Sequence, residues 1–339
     1  MKMLKMKKKY TSWLFLSCCM VVGAQIKALS QVDPHFSQYY ISPMTLNPAL
    51  TGIMEGDYRV SSVFRSEYNN TLQVKGFSGD ITTNKNCNIG VDILNESSND
   101  RSYSYTTGHV SLSYTGVRLG PNADHCISMA VQWGFINRAF NVAKLQFGDQ
   151  WASGVGYQPG TVSNEALNKP SVSAFDAGVG IAYYDAVPNK KVSFFGGIGA
   201  FHLTQPDNPF LSGSVDKLPI RYSIHAGVRI IGSDLFSIVP SAIFMKEGNA
   251  EEKMIGSYVQ LYVDGTTDFM FGANWRINDA VSPFVGIYYN GLTIGVSYDV
   301  NATTLAGASS RPGSLELSIS YTGKNKKIMK TKPFSCPRF

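Results

Sequence analysis

From Tyr58 to Tyr321 the chain alternates apolar and polar residues in fourteen short stretches separated by turn-forming residues. In one of them Leu292, Ile294, Val296, Tyr298 and Val300 fall on one side and Thr293, Gly295, Ser297 and Asp299 on the other. Strand side chains alternate faces with period two, so this pattern separates an apolar face from a polar one. It predicts strands over 58–66, 71–82, 86–95, 102–116, 126–135, 173–184, 191–203, 219–231, 235–244, 253–263, 267–276, 280–289, 291–300 and 313–321. Asn84-Lys85, Pro188-Asn189, Gly232-Ser233-Asp234, Asp264-Gly265, Asn278-Asp279 and Asn290-Gly291 stand between them as tight-turn signals.

An even number of antiparallel strands of roughly 9–11 residues closes without unpaired edges, as a bilayer core requires. The expected fold is therefore all-β: a transmembrane antiparallel β-barrel of about 14 strands. A soluble β-sandwich, the alternative for alternation with turns, is less consistent with so many strands in an exported chain. In 219–231 the row Ile220, Tyr222, Ile224, Ala226, Val228 and Ile230 is apolar, and the opposite row holds Arg221, Ser223, His225, Gly227 and Arg229. An Arg facing lipid near the midplane costs on the order of 2–4 kcal/mol, so the arginine row must face the lumen. The same argument sends Arg59, Arg65, Asp92, Asp268, Arg276, Asp299 and Glu316 inward, where opposite charges can pair. Ile127, Met129, Val131, Trp133 and Phe135, like Phe269, Phe271, Ala273 and Trp275, then meet lipid.

Two segments do not alternate. Residues 31–57 carry Pro34, Pro43 and Pro48, which forbid continuous helix or ladder pairing, yet they are rich in aromatic and apolar groups. Such a stretch makes a poor free tail. It is expected to fold into the lumen as an N-terminal plug, packing Phe36, Tyr39, Tyr40 and Leu46 together, with Asn47 turning the chain before Pro48. Residues 137–170, which include Gln146 to Trp151, form a loop longer than most, on the side opposite the Asn84 turn.

Composition sharpens the location. Five lysines among the first nine residues precede an apolar run from Trp13 to Ala24, the anatomy of a secretory signal peptide over 1–30, cut after Ser30 or after Ala24. Those thirty residues hold six Lys/Arg and no acid, so the remainder carries 24 charges of each sign and gives no reason to expect nucleic acid. Within it the tail 322–339 is basic, with Lys324, Lys326, Lys327, Lys330, Lys332 and Arg338. Cys87, Cys126 and Cys336 show no metal-binding spacing, and their pairing is open. His35, His109, His125, His202 and His225 are scattered, so no metal, cofactor or catalytic site is expected. Pairs such as His109 with Ser111 or His225 with Ser223 leave a barrel hydrolase as an outside reading.

The opening QVDPHFSQYYISPMTLNPALTG, from Gln31 to Gly52, resembles the mature start of the PorP/SprF family of type IX secretion membrane proteins, a Gln-Asp-Pro-x-Phe-Ser-Gln-Tyr stretch followed by Asn-Pro-Ala-x-x-Gly. Asp33, Pro34, Phe36, Ser37, Gln38, Tyr39, Asn47, Pro48, Ala49 and Gly52 match, with Val32 inserted after Gln31. Phe64-Arg65-Ser66, Phe147-Gly148-Asp149-Gln150, Tyr298-Asp299-Val300, Gly313 to Ser318 and Cys336-Pro337-Arg338-Phe339 match as well. The resemblance implies a non-enzymatic protein of the cell outer membrane, supporting type IX secretion or surface attachment of cargo such as gliding-motility adhesins. The implied partners are secretion components, a cargo's C-terminal sorting domain and outer-membrane lipid. The alternative is a plugged transport barrel for small hydrophobic or anionic solutes, drawn by its lumenal arginines.

Overall fold

The computed structural model describes residues 33–83, 85–163, 170–187, 190–207, 217–302 and 313–324. The expected signal segment, the turn residues Asn84, Pro188 and Asn189, Cys336 and the tail beyond Lys324 lie outside them. The barrel strands are β1 (Tyr58–Glu67), β2 (Leu72–Thr82), β3 (Cys87–Ser98), β4 (Tyr103–Leu119) and β5 (His125–Phe140). They continue after the intervening loop as β8 (Ser171–Asp185), β9 (Val192–Phe201), β10 (Arg221–Ser233), β11 (Phe236–Glu247), β12 (Ala250–Tyr262), β13 (Thr267–Arg276), β14 (Ala280–Tyr289), β15 (Leu292–Asn301) and β16 (Ser314–Gly323). That loop carries a small two-stranded hairpin of its own, β6 (Trp151–Ala152) with β7 (Gly156–Tyr157).

The fourteen barrel strands pair antiparallel with their sequence neighbours, and β1 pairs with β16 to close the ring. Closure satisfies every strand edge, the condition for crossing a bilayer with sheet. Among the described residues no helix is long and apolar enough to cross a membrane. The outer surface is apolar: Met129, Val131, Trp133 and Phe135 on β5 and Leu315, Leu317 and Ile319 on β16 are all exposed. Their strand neighbours Ser128, Gln132, Glu316 and Ser318 are buried. Polar inside and greasy outside is the reverse of a soluble core and the right partition for lipid.

Two prolines sit within strands at breaks in the ladder. Between β10 and β11 the pairing lapses from Gly227↔Ser241 to Ile230↔Ile238, next to Pro240, and between β14 and β15 from Val281↔Val300 to Phe284↔Ser297, next to Pro283. A residue without an N–H fits where no ladder bond is asked of it.

The structure corrects several sequence-based boundaries. Residues 137–140, expected in the loop, belong to β5, with Asn137 paired to Ser173 and Phe140 N–H donating to the Pro170 carbonyl. Alternation fades there without the strand ending, because Asn137 spends its side chain on Ser171, Val172 and Ser173. β16 runs two residues past Tyr321, since the Asp57 N–H donates to the Gly323 carbonyl. β5, β9 and β15 end, and β8, β10 and β16 begin, at one end of the barrel. The other end has short turns, the entry into β1 and the exit from β16.

Candidate functional site

Residues 33–57 are ringed by inward side chains from almost every strand. Their local course follows from their own sequence. Gln38 accepts the Ile41 N–H in a tight turn, and Pro43–Leu46 forms one helical turn with proline at its first position, where a missing N–H costs nothing. Asn47, extended at φ −157°, caps the next turn, Pro48–Leu50, by accepting the Ala49 N–H on Oδ1 at 2.9 Å. Gly52 then takes the left-handed φ of +74° and turns the chain toward β1. Phe36, Tyr39, Tyr40 and Leu46 are buried in one apolar cluster with Leu50, Ile53 and Phe284. Tyr40 packs its ring 5.4 Å from Phe284 and 5.9 Å from Tyr258.

Three sets of contacts fix this segment to the wall. At the loop end, Asp33 Oδ2 lies 2.7 Å from His202 Nε2 and accepts the Tyr105 hydroxyl at 3.0 Å, while the Asp33 N–H donates to Glu247 at 2.8 Å. His202 Nδ1 reaches Asp176 at 3.0 Å, Asp176 meets His109 Nε2 at 3.2 Å, and His109 Nδ1 faces Asp92 at 3.3 Å. Burial works against charging His202, but the hydrogen bonds it donates to Asp176 and Asp33 favour the protonated ring and push it up to about 9. Burial likewise opposes the Asp33 charge, and the hydrogen bond and charge of His202, with Arg221 and Tyr105, overcome it and lower the carboxyl below its ordinary range.

Also toward the loop end lies a knot of charge around Ser37. Glu316, 1% exposed, accepts the Ser37 N–H at 2.9 Å and the Gln38 N–H at 2.8 Å, one on each oxygen. The Ser37 hydroxyl donates to Asp299 at 2.9 Å and accepts Arg65 at 2.8 Å and Arg276 at 3.0 Å. Both guanidinium groups also pair with Asp299, Arg65 at 2.9 Å and Arg276 at 2.7 Å. Arg65 further meets Glu67, and Asn274 donates to the Ser37 carbonyl at 3.0 Å. Four buried charges thus satisfy one another and the backbone of two residues, the condition under which burial of ions is tolerated.

The third set is close-fitting and, apart from one ion pair, neutral. Asn47 Nδ2 donates to the Ile181 carbonyl at 3.0 Å and lies 3.2 Å from His225 Nε2. Ser128 donates to the Ala49 carbonyl and Ser113 to the Thr51 carbonyl, both at 2.7 Å. Gly52 N–H reaches Asp80 at 2.8 Å, and Asp80 is paired with Arg59 at the same distance. Glycines on β8 and β9 make this approach feasible: a Cβ on Gly180 would press on the Asn47 carboxamide and lie 3.0 Å from Ala49 N, and one on Gly197 would lie 2.6 Å from Asn47 Nδ2.

Of the residues singled out by sequence, Asp33, Phe36, Ser37, Gln38, Tyr39, Asn47 and Pro48 are buried here, and Pro34 is partly so. Arg59, Arg65, Arg221, His225 and Arg276 are buried with them, whereas Arg229 is half-buried nearer the short-turn end and donates to the Tyr262 hydroxyl at 2.7 Å. His109 spends both ring nitrogens on carboxylates, and neither the Ser111 nor the Ser223 hydroxyl has a hydrogen-bond partner, so the pairings a hydrolase would need are not formed. Sequence reading missed Asp176, His202 and Glu247. His202, expected within the 191–203 strand, instead stands just past the end of β9 at φ +58° and meets Asp33 across 169 positions. Against the expectation of scattered histidines, Asp33, His202 and Glu247 bring three potential ligand atoms within 4.8 Å of one another. Cys87 is exposed and Cys126 buried, both as free thiols.

The closed ring, its apolar exterior and its hydrogen-bonded interior define a β-barrel membrane protein. A family model described as type IX secretion system membrane protein PorP/SprF matches residues 28–321, and the chain belongs to that family. No curated protein matches it. Solved structures similar to this chain include the toluene transporter TbuX of Ralstonia pickettii, 11% identical over 84% of this chain and 94% of that one, with a TM-score of 0.48. Others are the CymD monoaromatic hydrocarbon channel (12%, 87% and 95%, TM-score 0.49) and the toluene transporter TodX of Pseudomonas putida (6%, 86% and 98%, TM-score 0.49).

Proposed function

We propose that this chain is a non-enzymatic outer-membrane component of the type IX secretion system, and that its barrel is a plugged scaffold supporting secretion or surface attachment of cargo, gliding-motility adhesins among them. The observation that carries the reading, beside family membership, is that residues 33–57 are fixed to the wall along their whole length. Such a segment occupies the lumen as a structural filling, which leaves the loops and the two barrel ends to meet partners. Barrels of this kind turn their short turns to the periplasm and their long loops outward, so the 141–170 loop with its exposed Trp151 is the surface offered outside. The partners are secretion components and the C-terminal sorting domain of a cargo. Deleting the gene tests the reading: at least one type IX cargo is expected to fail to reach the surface or medium, and unimpaired secretion of every cargo would refute it.

The transport reading is weaker because the lumenal arginines it relies on are committed: Arg59 to Asp80, and Arg65 and Arg276 to Asp299. In a planar bilayer the purified protein is expected to show no steady conductance. A steady current sensitive to Arg221 substitution would favour transport.

A further inference from the structure

We infer that Asp33, His202 and Glu247 form a binding site for one divalent transition-metal ion that pins the start of the interior segment to the barrel wall. The three ligand atoms lie within 4.8 Å of one another, and all three residues are buried. They come from three separate places in the chain: the interior segment, the end of β9 and the end of β11. One imidazole nitrogen with two carboxylates is a donor set suited to zinc and its neighbours rather than to calcium or magnesium, which take oxygen ligands. Two carboxylates and a neutral imidazole also match the charge of a divalent ion.

His202 is oriented as a metal ligand would be. Its Nδ1 is directed at Asp176 at 3.0 Å, which turns Nε2 toward Asp33, and Asp176 is in turn held by His109. A carboxylate behind the ligating imidazole is the usual support of a metal-bound histidine. A cation entering here displaces the Nε2 proton to solvent and takes its place between His202 and Asp33.

A separate observation points to an occupant. A cavity of about 20 Å³ is lined by Asp33, His202, Tyr105, Arg221 and Gln132 among others. Gln132 is 2% exposed, and its Oε1 accepts no hydrogen bond. The volume admits one water on the Asp33 and His202 side of the site, Glu247 not lining it. The Arg221 guanidinium is turned aside over the Phe201 ring at 4.1 Å and donates to the Thr45 carbonyl.

The test uses the full-length barrel purified in detergent, stripped with chelator, dialysed against zinc and assayed for metal per chain. About one zinc per folded chain is expected, falling at least roughly tenfold in His202→Ala and in Glu247→Gln and unchanged in His125→Ala, with thermal stability rising with free zinc only where the site is intact. Heat-modifiable migration on gels confirms that each variant is folded. No zinc on the folded wild type, or equal zinc on the His202 and Glu247 variants, would overturn the assignment. Should those variants not fold, X-ray absorption of the zinc-loaded wild type decides alone: one imidazole among oxygen ligands supports the site, and two or more imidazoles, or sulfur, reject it.

Discussion

The two halves of the interior segment are held by different physics. Around Ser37 and Gln38 the wall offers Glu316, Asp299, Arg65 and Arg276, a set of buried charges that converge on two residues. From Asn47 to Thr51 it offers serine hydroxyls, a carbonyl and a glycine-lined surface. A charged knot tolerates some misfit but not the loss of a member, since the remaining ions are left buried without partners. A neutral fit tolerates the loss of one bond at modest cost but not added volume.

Glu316→Ala is the substitution with the largest expected effect. It leaves the buried Ser37 and Gln38 N–H groups without acceptors and takes from Arg65 one of its three carboxylate partners, at a cost of about 3–5 kcal/mol, to be read from urea unfolding in detergent. Gly180→Val should follow at about 1–3 kcal/mol, through overpacking against Asn47 and Ala49, with Gly180→Ala showing a smaller loss of the same kind. Asn47→Ala, which deletes a cap and the contact with His225, is expected to cost about 1–2 kcal/mol. Tyr39→Phe, which removes only the 2.6 Å bond between its hydroxyl and Ser241, should cost about 1 kcal/mol.

Accessibility separates the halves more directly than stability does. In a background whose native cysteines are replaced, Phe36→Cys and Tyr39→Cys probes are expected to resist aqueous labelling, as is Leu50→Cys. Adding Glu316→Ala should expose the probe at 36 before that at 50, and adding Gly180→Val should do the reverse. Simultaneous exposure under either change would show that the segment releases as one unit and that the contrast has no energetic meaning.

The wall was far more legible in sequence than the contacts on its inner side. Alternation has a fixed period and a strong solvent penalty behind it, so Arg65, Arg276, Asp299 and Glu316 could be assigned inward from their neighbours alone. The turn at Asn47 before Pro48 was readable for the same local reason, although its cap on the Ala49 N–H was not. Which inward residue meets which was not, because the pairing of Ser37 with Glu316 spans 279 positions and depends on the circumference of a closed ring. Glycines 180 and 197 carry no mark that distinguishes them from ordinary strand glycines until Asn47 is laid against them. His202 escaped notice because alternation carries the expected strand through 203, whereas the chain leaves β9 after Phe201 and turns left-handed at His202.

Glu316 sits on the last strand, opposite Arg65 on the first. The seam between β1 and β16 joins residues from the two ends of the barrel sequence, so it is the contact with the greatest loop-closure cost and the natural final event of folding. The same side chain that faces Arg65 across that seam grasps the backbone of Ser37 and Gln38. Ring closure and the anchoring of the N-terminal segment therefore share one side chain. A barrel that shut with the segment outside would keep the pairing of Arg65 and Arg276 with Asp299 but leave both oxygens of Glu316 without the Ser37 and Gln38 N–H groups they hold.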